Sequence, residues 1–235
     1  MLIYNVHPSW NNFLTDDIKS LLNNIEKKIG SDFTPENHLV LRFLSLDLNS
    51  IKVVILGQDP YKPKGVATGR SFEPSELSNW CSPFRQVSLK NILRLIYASY
   101  NDISEYSEIP KYSDIIKLIK SGKFNVKPPH EWFNSLEAQG VLFLNISLTC
   151  KIGVSDSHSE IWREFSDKLI KFIAENNCNA MWFLWGYRAQ EAKTLIGDSK
   201  SYVSRHPMMC SQKYEDDFLK NKCFYDTKDM INWLG

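Results

Sequence analysis

Four short apolar runs constrain this fold more than any other feature: KVVIL (52–56), VLFLN (141–145), MWFLW (181–185) and SYVS (201–204). Each is too short for a helix, rich in β-branched or aromatic residues and nearly continuous in apolarity. A strand with one wet face alternates apolar and polar residues, whereas a strand covered on both faces has no reason to, and parallel strands are covered on both. Helical patterns separate the runs. Ile161, Phe165, Leu169 and Ile173 recur at a spacing of four within 159–175, and TDDIKSLLNNIEKKIG (15–30) opens on a Thr/Asp cap and stops at Gly30. Strands alternating with helices predict an α/β three-layer sandwich with a central, mostly parallel four-stranded sheet flanked by helices.

At 235 residues with 43% hydrophobic content, the chain can bury one sizeable core, and a single domain over 1–235 is expected. No internal repeat, low-complexity tract or linker interrupts it. Lys and Arg number 28 against 27 Asp and Glu, so an acidic partner must be met by a local basic surface and not by a bulk field. The five cysteines, Cys81, Cys150, Cys178, Cys210 and Cys223, are scattered without a CxxC pair or a Cys/His cluster, which argues against a disulfide framework or a zinc site. The start MLIYNVHPSW lacks a cationic stretch leading into an apolar one, and no segment reaches the roughly 18 apolar residues of a membrane span. The expectation is a soluble cytoplasmic protein, or a nuclear one in a eukaryotic or viral setting.

Open parallel sheets place their sites beyond the carboxyl ends of the strands. Here the first run leads into Gln58-Asp59-Pro60-Tyr61, the second ends at Asn145, the third leads into Gly186-Tyr187-Arg188 and the fourth reaches His206-Pro207. Taken singly, each has an ordinary reading: Asp-Pro as turn chemistry, Asn145 closing an Asx-turn, His206 as a loop or capping residue, Tyr61 and Phe72 as core. Together, a carboxylate, a two-sided amide, an imidazole and two aromatics at the strand ends of one sheet describe a pocket for a flat, hydrogen-bonding ring.

These residues resemble a known family. GQDPY after KVVIL, GVLFLNISLT (140–149), FLWGYRAQ (183–190) and His206-Pro207 are similar, in order and spacing, to the signatures of family 1 uracil-DNA glycosylases, with weaker echoes at Ser9-Trp10, at SLKNIL from Ser88 and at Ile231-Asn232-Trp233. The resemblance covers nearly the whole chain. It implies a DNA repair enzyme that flips uracil out of single- or double-stranded DNA and hydrolyses its N-glycosidic bond, leaving an abasic site. Asp59 would be the anion that orients water, and neutral His206 the donor to uracil O2. Asn145 would read N3 and O4, Phe72 would stack on the ring, Gln58 would contribute its backbone, and Tyr61 would crowd out the thymine methyl. Ser88, Gly186, His206 and Ser211 match positions that hold phosphates. No lysine falls on a catalytic position, so the resemblance implies a monofunctional enzyme, working as a monomer without membrane, metal or cofactor. Its replication or repair partners, and any inhibitor proteins that mimic DNA, are not legible in the sequence.

The departures fall on DNA handling. Lys62 replaces the usual His after Asp-Pro-Tyr, Tyr187 the Ser after Gly186, and Met208-Met209-Cys210 the usual Ser-Pro-Leu, where the leucine wedges into the gap left by the flipped base. Only Pro83 remains of the Pro-rich loop before Ser88. With Cys210 in the leucine's place, or Met209 as a substitute wedge, the expectation is a stronger preference for single-stranded DNA. Two alternatives stand beside this reading. One is a catalytically weak relative serving as a DNA-binding or replication-associated module. The other is a nucleotide hydrolase using Asp59 and His206 on phosphates, for which neither a P-loop nor a carboxylate cluster for Mg²⁺ is present.

Overall fold

The computed structural model describes residues 3–235. Its strands are β1 (Phe33–Thr34), β2 (Val53–Gly57), β3 (Val141–Asn145), β4 (Cys150–Lys151), β5 (Met181–Trp185) and β6 (Ser201–Ser204). Its α-helices are α1 (Asp16–Ile29), α2 (Asn37–Val40), α3 (Val87–Tyr100), α4 (Tyr112–Lys120), α5 (Pro129–Ala138), α6 (Ser159–Asn176), α7 (Tyr187–Gln190) and α8 (Cys223–Thr227). The four sequence runs become β2, β3, β5 and β6. They form one sheet in the order β3-β2-β5-β6 with every pairing parallel.

The continuous apolarity of the runs is resolved by the strand period of two. Val54, Leu56, Leu142, Leu144, Trp182 and Leu184 point to one face, where α1 and α6 cover them. Val53, Ile55, Val141, Phe143, Phe183 and Trp185 point to the other, beneath α3, α5 and α8. Each such side chain removed from water contributes roughly 1.5–3 kcal/mol, so either face stripped of its helices would be untenable. The result is the expected three-layer sandwich. Thr15 caps α1 by accepting from the Ile18 amide at 3.4 Å. The expected buried character fails at β6, where Val203 is 38% exposed. This strand is at the sheet edge, paired only with β5, and its outer flank carries no further strand, only the Asn221 amide donating to Val203 O at 3.0 Å. A second, two-stranded antiparallel sheet of β1 and β4, with no counterpart among the sequence runs, ties the chain before β2 to the loop after β3.

Register sets the site. Val53 pairs with Val141 and Gly57 with Asn145, while Val53 also pairs with Met181. The carboxyl ends of β2, β3 and β5 are therefore level, and their loops emerge on one edge.

Candidate functional site

Gly57 ends β2 where nothing larger fits: a Cβ there would lie 2.4 Å from Asn145 Oδ1 and 2.7 Å from Ser71 Cβ. The missing side chain lets the Asn145 amide lie across the strand end. Asn145 is 4% exposed, yet its amide makes no hydrogen bond to protein and lines a cleft of about 830 Å³. The amide opens onto the cleft, so its donors and acceptor are free to pair with whatever enters. Parallel pairing continues past the strands, with Ile146 N–H donating to Gly57 O at 3.0 Å and Ser147 N–H to Gln58 O at 2.9 Å, which fixes the Gln58 backbone beside Asn145.

Asp59 is half-buried at the same edge. Its Oδ2 accepts from the Asp156 backbone N–H at 2.8 Å. Burial holds its carboxyl above the usual carboxylate range; the Asp156 amide works against this, the Asp156 charge adds to it, and Lys62 lowers it. Tyr61 donates its hydroxyl to the Phe72 carbonyl at 3.0 Å, locking the phenol ring against the loop that carries the second aromatic. Burial raises the Tyr61 phenol, which stays a neutral donor. Phe72 itself has φ 65°, a left-handed backbone that a bulky residue adopts only under constraint. Its ring meets Trp185 edge-on at 5.7 Å and lies 6.1 Å from the His206 ring.

That loop is anchored by a buried ion network. Arg70, 6% exposed, bonds Glu137 through Nε, Glu73 through Nη1 at 3.1 Å and Asn134 Oδ1 at 2.8 Å, while Arg42 bonds Glu137 at 3.1 Å. Burial alone would push the Glu137 carboxyl up; the Arg70 and Arg42 guanidinia outweigh it and hold it below the usual range. Paired charges of this kind tolerate burial because each lone pair and proton has a partner.

His206 follows β6. Its Nδ1 accepts from the Met208 N–H at 3.2 Å, which leaves the neutral ring's proton on Nε2. Burial pushes the imidazole below its ordinary 6.5, so it stays neutral near pH 7 and can act as a donor. Gly186 makes room for it. With φ 91° and a virtual Cβ 3.0 Å from His206 Cβ, position 186 accepts only glycine without displacing the ring.

The structure thus brings Gln58, Asp59, Tyr61, Phe72, Asn145 and His206 together on one cleft, with Lys62 and Ser88 also on its walls. Gly186, Tyr187 and Met209 instead line a neighbouring groove. Ser211 is half-buried further along, its N–H donating to Asp217 Oδ2 at 2.5 Å. Cys210 corrects an expectation. Its thiol turns inward, donates to Pro207 O at 3.2 Å and packs against the core under α3, and burial pushes it up to about 12. Met208 and Met209 are the side chains that project at this turn. Three features escaped the sequence. Asp156 acts through a backbone N–H that any residue supplies, the Arg70 network spans 95 residues between Arg42 and Glu137, and the need for Gly57 exists only once β3 is alongside.

Fold and site together define a parallel-sheet α/β protein whose cleft at the carboxyl edge is lined by an amide, two aromatic rings, a carboxylate and a neutral imidazole. The profile of the uracil DNA glycosylase superfamily matches residues 45–228. The uracil-DNA glycosylase of Buchnera aphidicola subsp. Cinara cedri is 31% identical over 242 residues, covering 96% of this chain and 95% of the relative. The UNG of mimivirus solved in complex with UGI is 26% identical with a TM-score of 0.61, over 88% of this chain and 71% of that one. The UNG of Nitratifractor salsuginis, 20% identical, shares the fold with a TM-score of 0.72 over 97% and 93%. The chain belongs to the uracil DNA glycosylase superfamily, and within it to the family 1 type. It is an enzyme of DNA repair that excises uracil from DNA.

Proposed function

We propose that the strand-end residues divide the excision of uracil as follows. The extruded base enters the cleft and stacks on Phe72, with the Asn145 amide accepting from N3–H and donating to O4, and the Gln58 backbone beside it. Breaking the C1′–N1 bond leaves positive charge on the sugar and negative charge on the base. Asp59 stabilises the first and orients the attacking water, taking its proton as oxygen bonds to C1′; His206 donates Nε2–H to O2, where the second accumulates. Both groups suit these tasks, since the imidazole is neutral and the carboxylate is close by but not paired with a cation. The product is free uracil and an abasic site.

Selectivity follows from shape and pairing. Tyr61, held by Phe72 O, presses its ring toward C5 and leaves no room for a thymine methyl. Cytosine offers an acceptor at N3 and donors at N4, opposite to what the oriented amide wants, and buried groups would be left unpaired. Backbone phosphates are held by Lys62, Ser88, Gly186 and Ser211, with Tyr187, Met209 and the turn containing Cys210 against the DNA; such contacts fix register without reading sequence. The enzyme works as a single domain and a monomer, without metal or cofactor, on single- and double-stranded DNA. Among the described residues no helix is long and apolar enough to cross a membrane. With bacterial relatives such as that of Buchnera, the cytoplasm is the proposed compartment. UGI, bound to the mimivirus relative, suggests that a protein inhibitor would compete with DNA for the same cleft here.

The observation that carries the reading is the Asn145 amide, without a protein hydrogen bond, on the same cleft as Phe72 and His206. Release of free uracil, but not thymine or cytosine, from single-stranded oligonucleotides tests it. His206→Ala should reduce that release by about 100-fold or more with DNA affinity intact. Affinity for uracil-containing DNA without base release would instead support the DNA-binding module.

A further inference from the structure

Tyr187, Met209 and Met208 are the three most exposed large hydrophobic side chains among the described residues, at 71%, 58% and 57%. All three line one groove of about 340 Å³, together with Trp185 and Gly186. Single exposed apolar side chains are ordinary, but several gathered on one rim mark a contact surface. The groove shares Gln58, His206 and Met208 with the larger cleft, so an occupant would lie beside the extruded base. Its cations are already engaged. Arg205 stacks 3.5 Å from the Tyr214 ring centroid and bonds Asp216 at 2.9 Å, and Arg188 pairs with Asp156 at 3.3 Å and Glu191 at 3.5 Å.

We propose that this groove is a stacking subsite for the nucleobase next to the extruded uracil, with Tyr187 as its platform and Met208 and Met209 on the wall between the two sites. The proposal rests on the function proposed above and adds a second base position to it. A nucleobase fits better than a phosphate because the exposed walls are aromatic and thioether surfaces while the guanidinium groups have carboxylate partners. It fits better than a second protein because a strand that delivers uracil to the cleft must continue past one of its shared walls. Gly186 strengthens the case. Its φ of 91° sets the start of α7, and a Cβ there would lie 3.0 Å from His206 Cβ, so Tyr187 is presented from a turn packed next to the chemistry. A neighbouring base can lie flat on Tyr187 only after leaving its own stack, which single strands allow most readily.

The test compares uracil release from single-stranded oligonucleotides in which the base 5′ or 3′ to the uracil is replaced by an abasic spacer. Wild type is expected to lose about 10-fold in kcat/KM on one of the two. Tyr187→Phe should keep that dependence, and Tyr187→Ser should be slow on the intact strand and indifferent to the spacer. Fluorescence anisotropy on the same strands carries the comparison independently of the chemistry, so a protein that binds but releases no uracil would overturn the proposed function alone. Indifference of wild type to both spacers, or a Tyr187→Ser variant as sensitive as wild type, would overturn the subsite. So would a concentration-dependent dimer in sedimentation that Tyr187→Ser abolishes, since the groove would then serve a second copy.

Discussion

Gly57→Ala probes how tightly the Asn145 amide, proposed to read uracil, must be held. The new Cβ would sit 2.4 Å from Asn145 Oδ1 and 2.7 Å from Ser71 Cβ. Ser71 is the less able to yield: it is buried, its hydroxyl donates to Ile55 O at 3.2 Å and its N–H to Phe143 O at 3.4 Å. The Asn145 amide has no protein hydrogen bond to hold it, so it swings aside, while the contact with Ser71 Cβ is relieved by a shift of the backbone on one side or the other. Moving Oδ1 from 2.4 Å to an ordinary 3.4 Å contact displaces it by about 1 Å. A misplacement of about 1 Å in a positioning group is worth roughly 100-fold in rate, or about 2.7 kcal/mol of transition-state stabilisation. Single-turnover uracil release from a labelled single strand should fall by about that factor. Affinity for the same strand carrying thymine should hold, because phosphate contacts do not pass through Asn145. Asn145→Ala should produce a similar loss, and the double variant little more than either alone, since both remove one function. A Gly57→Ala protein that melts like wild type and releases uracil within about threefold of its rate would refute the reasoning.

Asp59→Asn should reduce excision by about 100-fold or more and raise the melting temperature near neutral pH, since it removes a charge that burial disfavours. The folded carboxyl titrates above its ordinary 3.8, so the wild type's stability relative to the variant is fully present below that value and lost as pH rises through the raised one; melts across pH would show the two curves converging in acid. Tyr61→Ala should gain measurable thymine release and Asn145→Asp cytosine release, read by chromatography of the freed bases; a Tyr61→Ala protein with full uracil activity and no thymine release would mean another group forms that wall. Cys210→Leu should lower stability and bring no gain on duplex substrates, because the side chain at 210 turns toward Pro207 O and packs against the core beneath α3, where overpacking costs roughly 1–3 kcal/mol. Met209→Ala should lose more activity on U·A duplex than on single strands, and equal ratios for Met209→Ala and wild type would remove Met209 as the wedge.

The sheet was legible because its signal is local. Each of KVVIL, VLFLN and MWFLW carries its own evidence of two covered faces, and the spacing of four through α6 is a property of that segment alone. The site was legible for a related reason: in a parallel sheet the carboxyl ends share one edge, so Asp59, Asn145 and His206 could be placed together from strand order in the chain without knowing which strands are neighbours. Everything that depended on what stands next to a residue in space was decided by packing. SYVS reads as a buried strand until it is put at the sheet edge, where one flank of Val203 meets water. Cys210 reads as a small wedge until the 207–209 turn rotates its thiol toward Pro207 O and projects Met208 and Met209 instead. The Asp156 N–H that steadies Asp59, the ion network that anchors Arg70 two residues before Phe72 and the bare Gly57 beneath Asn145 join parts of the chain far apart in sequence. Periodicity and capping report interactions within a few residues, whereas these depend on close approach between segments, which exists only after the layers have packed.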